Sequence, residues 1–341
     1  MKPTRRTYFL MATDPVHVGT GGTRLGRIDN SIIREPSTRL PKIPGSSLEG
    51  VLRNFAAWRL IVEYEKDDKH SADLAKLKRS LGTHPDQKKM SDKEKTKNML
   101  ENIDSNSPLY YTFGFSKGSM TAEGGEEGGN MKGTAHIYDA TIALFPVYTF
   151  LGPVWVTTSE ILHDSFAIKL QQAPALEKVF ISTDLYRKGF SQGQQRKINL
   201  GWLYIDADEL EGFNPAENEL VKGSDRLKHA FSRLVVVNEA LLTHIVNSNL
   251  EVRTSVAIEF ETGAAKEGAL FTYEAIPRAT ILKFDVEETD HRGGQRNGSW
   301  LNLTGPLAVV EMGMEYLEHL GVGGMGTRGF GRMTKLVQKN K

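Results

Sequence analysis

The sequence contains no cysteine. Disulfides, thiol nucleophiles and thiolate metal sites are therefore excluded, and the absence suits a reducing cytoplasm, where the protein is expected to reside. A surplus of charge is also lacking. Lys and Arg total 43 against 42 Asp and Glu, a net charge of +1, so a polyanion has to be met by a locally basic surface. Histidine is sparse at nine residues in 341, none of them at the H-E-x-x-H spacing of a zinc site. Neither a G-x-S-x-G elbow nor a P-loop Lys-Ser/Thr is present, so serine-hydrolase and nucleotide-triphosphatase readings are unsupported.

Uncharged runs are short. The opening MKPTRRTYFLMATDPVHVG is broken before Asp14 and Pro15, too early for a secretory signal. Residues 140–159, ATIALFPVYTFLGPVWVTTS, have the length of a membrane helix. Pro146, Gly152, Pro153 and the threonines point instead to two β-segments joined by a turn, and no membrane association is expected.

What is present suffices for a folded core. Apolar residues make up 39% and charged residues 25%, which excludes wholesale disorder and a collagen-like chain. The length exceeds the roughly 150 residues typical of one domain. The expected organisation is a single elaborated domain over 1–341, with a charged helical and Gly-rich insertion at 66–133. Residues 7–18 read as a first strand. Ser46 opens a helix, SSLEGVLRNFAAWRLIVEYEK, in which Ser46 and Glu49 have capping-box spacing. Leu48, Val51, Leu52, Phe55, Trp58 and Val62 recur at helical spacing, and Arg53 and Arg59 fall off that stripe. Residues 165–230 read as irregular, 233–260 as strand, helix and strand, and a helix near 305–320 precedes the tail. Strands and helices mix without regular βαβ alternation, which predicts an α+β fold.

Two motifs carry chemistry. The tail GVGGMG matches G-x-G-x-x-G formally, but so near the C-terminus that no room is left for a dinucleotide-binding βαβ unit. With Arg328 it reads either as a structural turn or as a loop whose N–H groups approach phosphate. The segment 16–53, VHVGTGGTRLGRIDNSIIREPSTRLPKIPGSSLEGVLR, runs from strand to glycine loop, to an isolated acid at Asp29, to a helix bearing Arg53. Helix N-termini and arginines bind phosphate readily. Asp29 stands among Arg24, Arg27 and Arg34, and spacing alone leaves it open as an ion-pair partner or a catalyst.

This segment resembles the repeating backbone subunit of type III CRISPR effector complexes, within the RAMP superfamily. That family shows H-x-G-x-G, then D-x-x-(I/V)-x-R, then P-x-I-P-G-S-S-L-K-G-x-L-R. Here these are His17, Gly19 and Gly21; Asp29, Ile32 and Arg34; and Pro41 through Arg53. HIYDATIALFPV, EVRTSVAIEFETGAAKEGALFTYEAIP and GGMGTRGFGRM resemble three further family segments in the family's order. Glu49 stands where the family usually has Lys, which removes one expected phosphate contact. The middle of the chain looks Cmr-like and the tail Csm-like.

The resemblance implies a modified ferredoxin-like, RNA-recognition palm with a β-hairpin thumb, here at about 245–280. It implies a filament of copies along CRISPR RNA, with large and small type III subunits as further partners. Cleavage of complementary target RNA at six-nucleotide intervals is implied, dependent on Mg²⁺ or another divalent cation. Asp29 matches the acid required for cutting. With an ordinary pKa of about 3.9 it is a poor base, better suited to holding the cation or orienting the ribose 2′-OH. His17 reads either as an acid–base group or as a structural histidine. Glu274 matches a family acid near the thumb, where ion pairing is the competing reading. Ser46, Ser47, Arg34, Arg53, Arg253 and Arg328 are the expected RNA contacts. A guide-binding scaffold that does not cut is the alternative within the same kind of complex.

Overall fold

The first strand, Thr4–Ala12, has no solvated face in its middle. Tyr8, Leu10 and Ala12 enter one core and Phe9 enters another. Such a strand must lie inside a sheet covered on both sides. The computed structural model describes residues 3–21, 28–116, 130–190, 196–256, 258–265, 270–294 and 300–340, and shows that arrangement. Thr4–Ala12 pairs antiparallel with Ile281–Glu288 on one side and with the tail strand Met333–Asn340 on the other. Ile281–Glu288 pairs in turn with Ala140–Thr149. Numbered along the chain, these four strands lie in the order 4-1-3-2. Helices Gly45–Tyr64 and Pro306–Met314 connect the first to the second and the third to the fourth. This is the βαββαβ plan of a ferredoxin-like palm, which the resemblance implies and which falls within the expected α+β class.

The two helices share one face of the sheet through Leu48, Leu52, Phe55, Val309 and Val310. They approach until a β-carbon on Gly313 would stand 2.4 Å from the Leu52 carbonyl oxygen, so only glycine fits that crossing. On the opposite face Phe9 stacks on Phe166 at 4.9 Å, and Phe166 meets Phe231 edge-on at 5.0 Å. Helices Ser159–Phe166 and Asp225–Ser232 supply these rings.

The apolar run at 140–159 is the expected pair of β-segments, an antiparallel hairpin of Ala140–Thr149 with Gly152–Thr157 in which Phe145 faces Val156. No described helix is long and apolar enough to cross a membrane. Residues 165–230 are not irregular. They extend the sheet through Lys178–Ser182, Leu203–Leu210 and Lys197–Leu200, interleaved with short helices. Elements of four to eight residues with half-exposed charged faces, as in KINL and LYIDADEL, give too little periodicity to be seen locally.

The first helix begins at Gly45 with Pro44 as its N-cap, and no capping box forms between Ser46 and Glu49. The Asp139 carboxylate instead accepts the Gly45 N–H at 2.8 Å and pairs with Lys42 at 2.6 Å. Close packing dictates this exchange, because a β-carbon on Gly45 would lie 2.3 Å from the Ile137 carbonyl oxygen. The strand end carrying Asp139 is thereby pressed onto the helix start. The insertion contains helices Ser71–Ser80, Asp92–Glu101 and Pro108–Phe113. Its segment 117–129 lies outside the described residues, as do Arg24 and Arg27.

Candidate acidic site and nucleic-acid interface

Two strands stand apart from the main sheet. Glu251–Ser255 pairs antiparallel with Phe271–Ala275, with Arg253 facing Tyr273 and Thr254 facing Thr272. The loop carrying Asp29 lies along the second of these strands. Asn30 donates its N–H to the Thr272 carbonyl at 3.0 Å, and Glu274 donates its own to the Asn30 carbonyl at 3.0 Å. This pairing fixes the backbone immediately after Asp29.

Asp29 Oδ2 accepts the Thr272 N–H at 2.7 Å and the Thr272 hydroxyl at 3.0 Å. The Asp29 N–H returns a bond to Thr272 Oγ1 at 3.1 Å. The Thr272 N–H first, and its hydroxyl second, hold the Asp29 carboxyl below the usual aspartate range. Asp29 is therefore ionised at neutral pH, half-exposed, with Oδ1 as the oxygen Thr272 does not engage. It is no ion-pair partner of Arg34, whose guanidinium bonds Glu274 Oε1 at 2.8 Å, the Ile32 carbonyl at 3.0 Å and Asn247 Oδ1 at 2.9 Å. Glu274 is buried at 6% exposure and also accepts the Ile32 N–H at 3.3 Å. Arg34 and Glu274 thus form a structural clasp between the acidic loop, the paired strands and helix Glu239–Ser248.

His17 is equally enclosed, 6% exposed. Its Nδ1 lies 2.6 Å from the Glu274 carbonyl, an acceptor, so Nδ1 carries the proton. Tyr273 meets the ring edge-on, and a β-carbon on Gly19 would stand 3.0 Å from Nε2. This geometry supports the structural reading of His17. The tail glycines close over the same segment. Gly324 donates to the His17 carbonyl at 2.8 Å, and Gly331 to that of Pro15 at 2.8 Å. Gly323 has φ +90°, and a β-carbon there would lie 2.3 Å from the His17 carbonyl oxygen. The glycine-rich tail is a fitted cover on the acidic loop's base.

Two arginines flank this cover on aromatic supports. Arg253 lies 4.8 Å over the Phe330 ring and Arg328 5.5 Å over Phe271. Both are exposed, and Arg253 also bonds Glu251. Phe271, Tyr273 and Phe330 pack as one small cluster, so Asp29, Arg253 and Arg328 share a single local scaffold.

Ser46, Ser47 and Arg53 occupy a different place, the start of the first helix. Ser46 is exposed, Ser47 half-exposed, and Arg53 lies over Tyr110 at 5.5 Å. Arg53, Glu49, Lys132 and His136 line a polar groove of about 470 Å³ between this helix and the short pair Gly114–Phe115 and Met131–Lys132. Burial pushes the Glu49 carboxyl up, and Arg53 partly opposes it. Burial first, then Lys132, lowers His136. The sequence reading misses Thr272, Asp139, Lys132 and His136. Asp139 and His136 stand inside the quoted HIYDATIALFPV segment and Thr272 inside EVRTSVAIEFETGAAKEGALFTYEAIP, which were the available signals, whereas Lys132 had none.

Among the described residues no group of three or more His, Asp or Glu side chains is placed to hold a metal. Mg²⁺ keeps several waters and commonly takes one or two carboxylates together with phosphate oxygens, so a half-exposed carboxylate such as Asp29 has the chemistry of one ligand and would need phosphate oxygens for others.

The RAMP superfamily model matches residues 9–334. The curated protein described as CRISPR system Cms endoribonuclease Csm3, from Enterococcus italicus, is 35% identical over 71 residues, 20% of this chain and about a third (32%) of that relative. A type III-B Cmr-beta complex bound to cognate target RNA contains a chain aligning with a TM-score of 0.57 and 15% identity, over 97% of this chain and 96% of that one. Oligomeric Cmr4 from Pyrococcus furiosus aligns at a TM-score of 0.55 and 17% identity, over 99% and 98%. These two likenesses show a shared fold. With the family model spanning nearly its whole length, the chain belongs to the RAMP superfamily.

Proposed function

We propose that this chain is the repeating backbone subunit of a type III CRISPR complex, holding CRISPR RNA and cleaving complementary target RNA at six-nucleotide intervals. The observation that carries the reading is Asp29. It matches the family's motif acid, is ionised and half-exposed, and is tied to Thr272 in the paired strands Glu251–Ser255 and Phe271–Ala275, which in this reading belong to the thumb. In this reading Arg253 and Arg328 bind phosphate beside it, and Ser46, Ser47 and Arg53 line the guide's path at the helix start. Stacking on Phe330 and Phe271 keeps both guanidinium planes oriented, with Arg253 also paired to Glu251.

In cleavage, Asp29 accepts a hydrogen bond from the ribose 2′-OH next to the scissile phosphate and aligns that oxygen for attack. The new O–P bond closes a 2′,3′-cyclic phosphate as the P–O5′ bond breaks, the 2′-OH proton passing to water and the leaving 5′-oxygen taking a proton from water. The kink at the thumb would supply in-line geometry. A divalent cation, when bound, would offset charge developing on the phosphate. Arg34 and Glu274 hold the loop, and His17 braces it. Further copies of the chain, the large and small subunits and a cytoplasmic location belong to this same proposal.

The test is purification of the complex from its native host through a tag on this chain, sequencing of the bound RNA, and challenge with labelled complementary RNA plus Mg²⁺. Repeat-derived guides and products spaced by six nucleotides are expected. Guides without cleavage would indicate the scaffold alternative, and absence of guides would overturn the proposal.

A further inference from the structure

Strand Phe271–Ala275 meets a different partner at each successive residue. Phe271 supports Arg328, Thr272 grips Asp29, Tyr273 packs on Phe330 and His17, and Glu274 clasps Arg34. We infer that Thr272 is the positioning residue of the acidic site, its hydroxyl fixing the Asp29 carboxylate in the orientation that the reaction uses. The inference rests on the nuclease reading of Asp29.

The geometry separates orientation from folding. The loop's backbone is held by bonds that the Thr272 side chain does not make: Asn30 N–H to the Thr272 carbonyl, Glu274 N–H to the Asn30 carbonyl, and Ile32 N–H to Glu274 Oε2. Losing the hydroxyl leaves that pairing intact. It also leaves the Thr272 N–H on Asp29 Oδ2, a single bond about which a carboxylate can swing. The hydroxyl supplies the second bond to the same oxygen, at 3.0 Å, and accepts the Asp29 N–H at 3.1 Å. Two donors converging on Oδ2 present Oδ1 in one direction. A misplacement of about 1 Å at such a group can cost on the order of a hundredfold in rate. Because Thr272 faces Thr254 within the hairpin ladder, Asp29 moves with the hairpin rather than with its own loop alone.

The experiment uses the assembled complex with guide, and compares wild type, Thr272→Val, Thr272→Ser and Asp29→Asn in single-turnover target cleavage, with target affinity measured in parallel. Valine keeps the β-branch and removes the donor, and serine keeps the donor. Thr272→Val should cut roughly tenfold more slowly, the worth of about one hydrogen bond to a charged group, with target affinity unchanged. Thr272→Ser should restore the rate. Should valine disturb assembly, Thr272→Ala makes the same comparison without a methyl in the hydroxyl's place. A Thr272→Val complex with wild-type rate, while Asp29→Asn is inactive, would overturn the inference and leave the nuclease reading standing. Equal defects in Thr272→Ser and Thr272→Val would also overturn it. Normal cutting by Asp29→Asn would overturn the nuclease reading itself.

Discussion

Asp29 and Arg34 lie five positions apart in one loop and take opposite roles. Arg34 is engaged by Glu274, Ile32 and Asn247, and its side chain is 17% exposed, so it is a clasp before it is an RNA contact. Removing one partner of a mostly buried pair leaves the other charge without compensation. Arg34→Ala should therefore lower unfolding stability by about 3 kcal/mol, whereas Glu274→Gln, which still accepts hydrogen bonds, should cost about 1 kcal/mol. Urea unfolding of the two variants decides this, and equal small losses would show that the clasp is dispensable. The motif gave Asp29 its identity, and the arginines around it left its partner open. Its actual partner, Thr272, is 243 positions away in the quoted segment 251–277, and no local pattern in either segment pairs the two positions.

The first helix shows the same limit at the scale of an element. Its apolar stripe is legible in part: Leu48, Leu52 and Phe55 enter the core, whereas Trp58 and Val62 are exposed and Leu60 is buried instead. Its start is not legible, because the cap is supplied by Asp139 from another strand rather than by Ser46. Burial raises the Asp139 carboxyl, but Lys42 and the Gly45 N–H outweigh it and hold it below the ordinary range. A depressed carboxyl contributes stability that is present above its unfolded pKa and lost as pH falls through its folded value. Asp139→Ala should cost about 1 kcal/mol at neutral pH, with the difference from wild type vanishing in acid. A variant as stable as wild type in neutral thermal melts would remove Asp139 as the cap. At the same helix, Arg53→Ala should weaken guide binding for all sequences and flatten its salt dependence, as loss of a phosphate contact does. Glu49→Lys should tighten binding, and no capping box is there to be lost. Filter binding at several salt concentrations tests both. An unchanged affinity and slope in Arg53→Ala would remove this helix from the guide's path.

Across the whole molecule, strand and helix signals carried the reading only as far as an α+β class, and the ferredoxin-like palm was legible through the family resemblance alone. The sheet extension through residues 178–210 was hidden by the shortness of its strands. A net charge of +1 is compatible with RNA binding when the arginines cluster, as Arg253 and Arg328 do around the small aromatic cluster beside Asp29. In the proposed function Asp29 cuts target RNA, while the arginines beside it and the start of the first helix hold it. The most direct measurement is target cleavage by a guide-loaded complex carrying Asp29→Asn, with target binding measured on the same preparation. The predicted result is loss of the six-nucleotide ladder with binding within about twofold of wild type, since a neutral isostere removes charge and little volume. An undiminished ladder from the Asp29→Asn complex would contradict it.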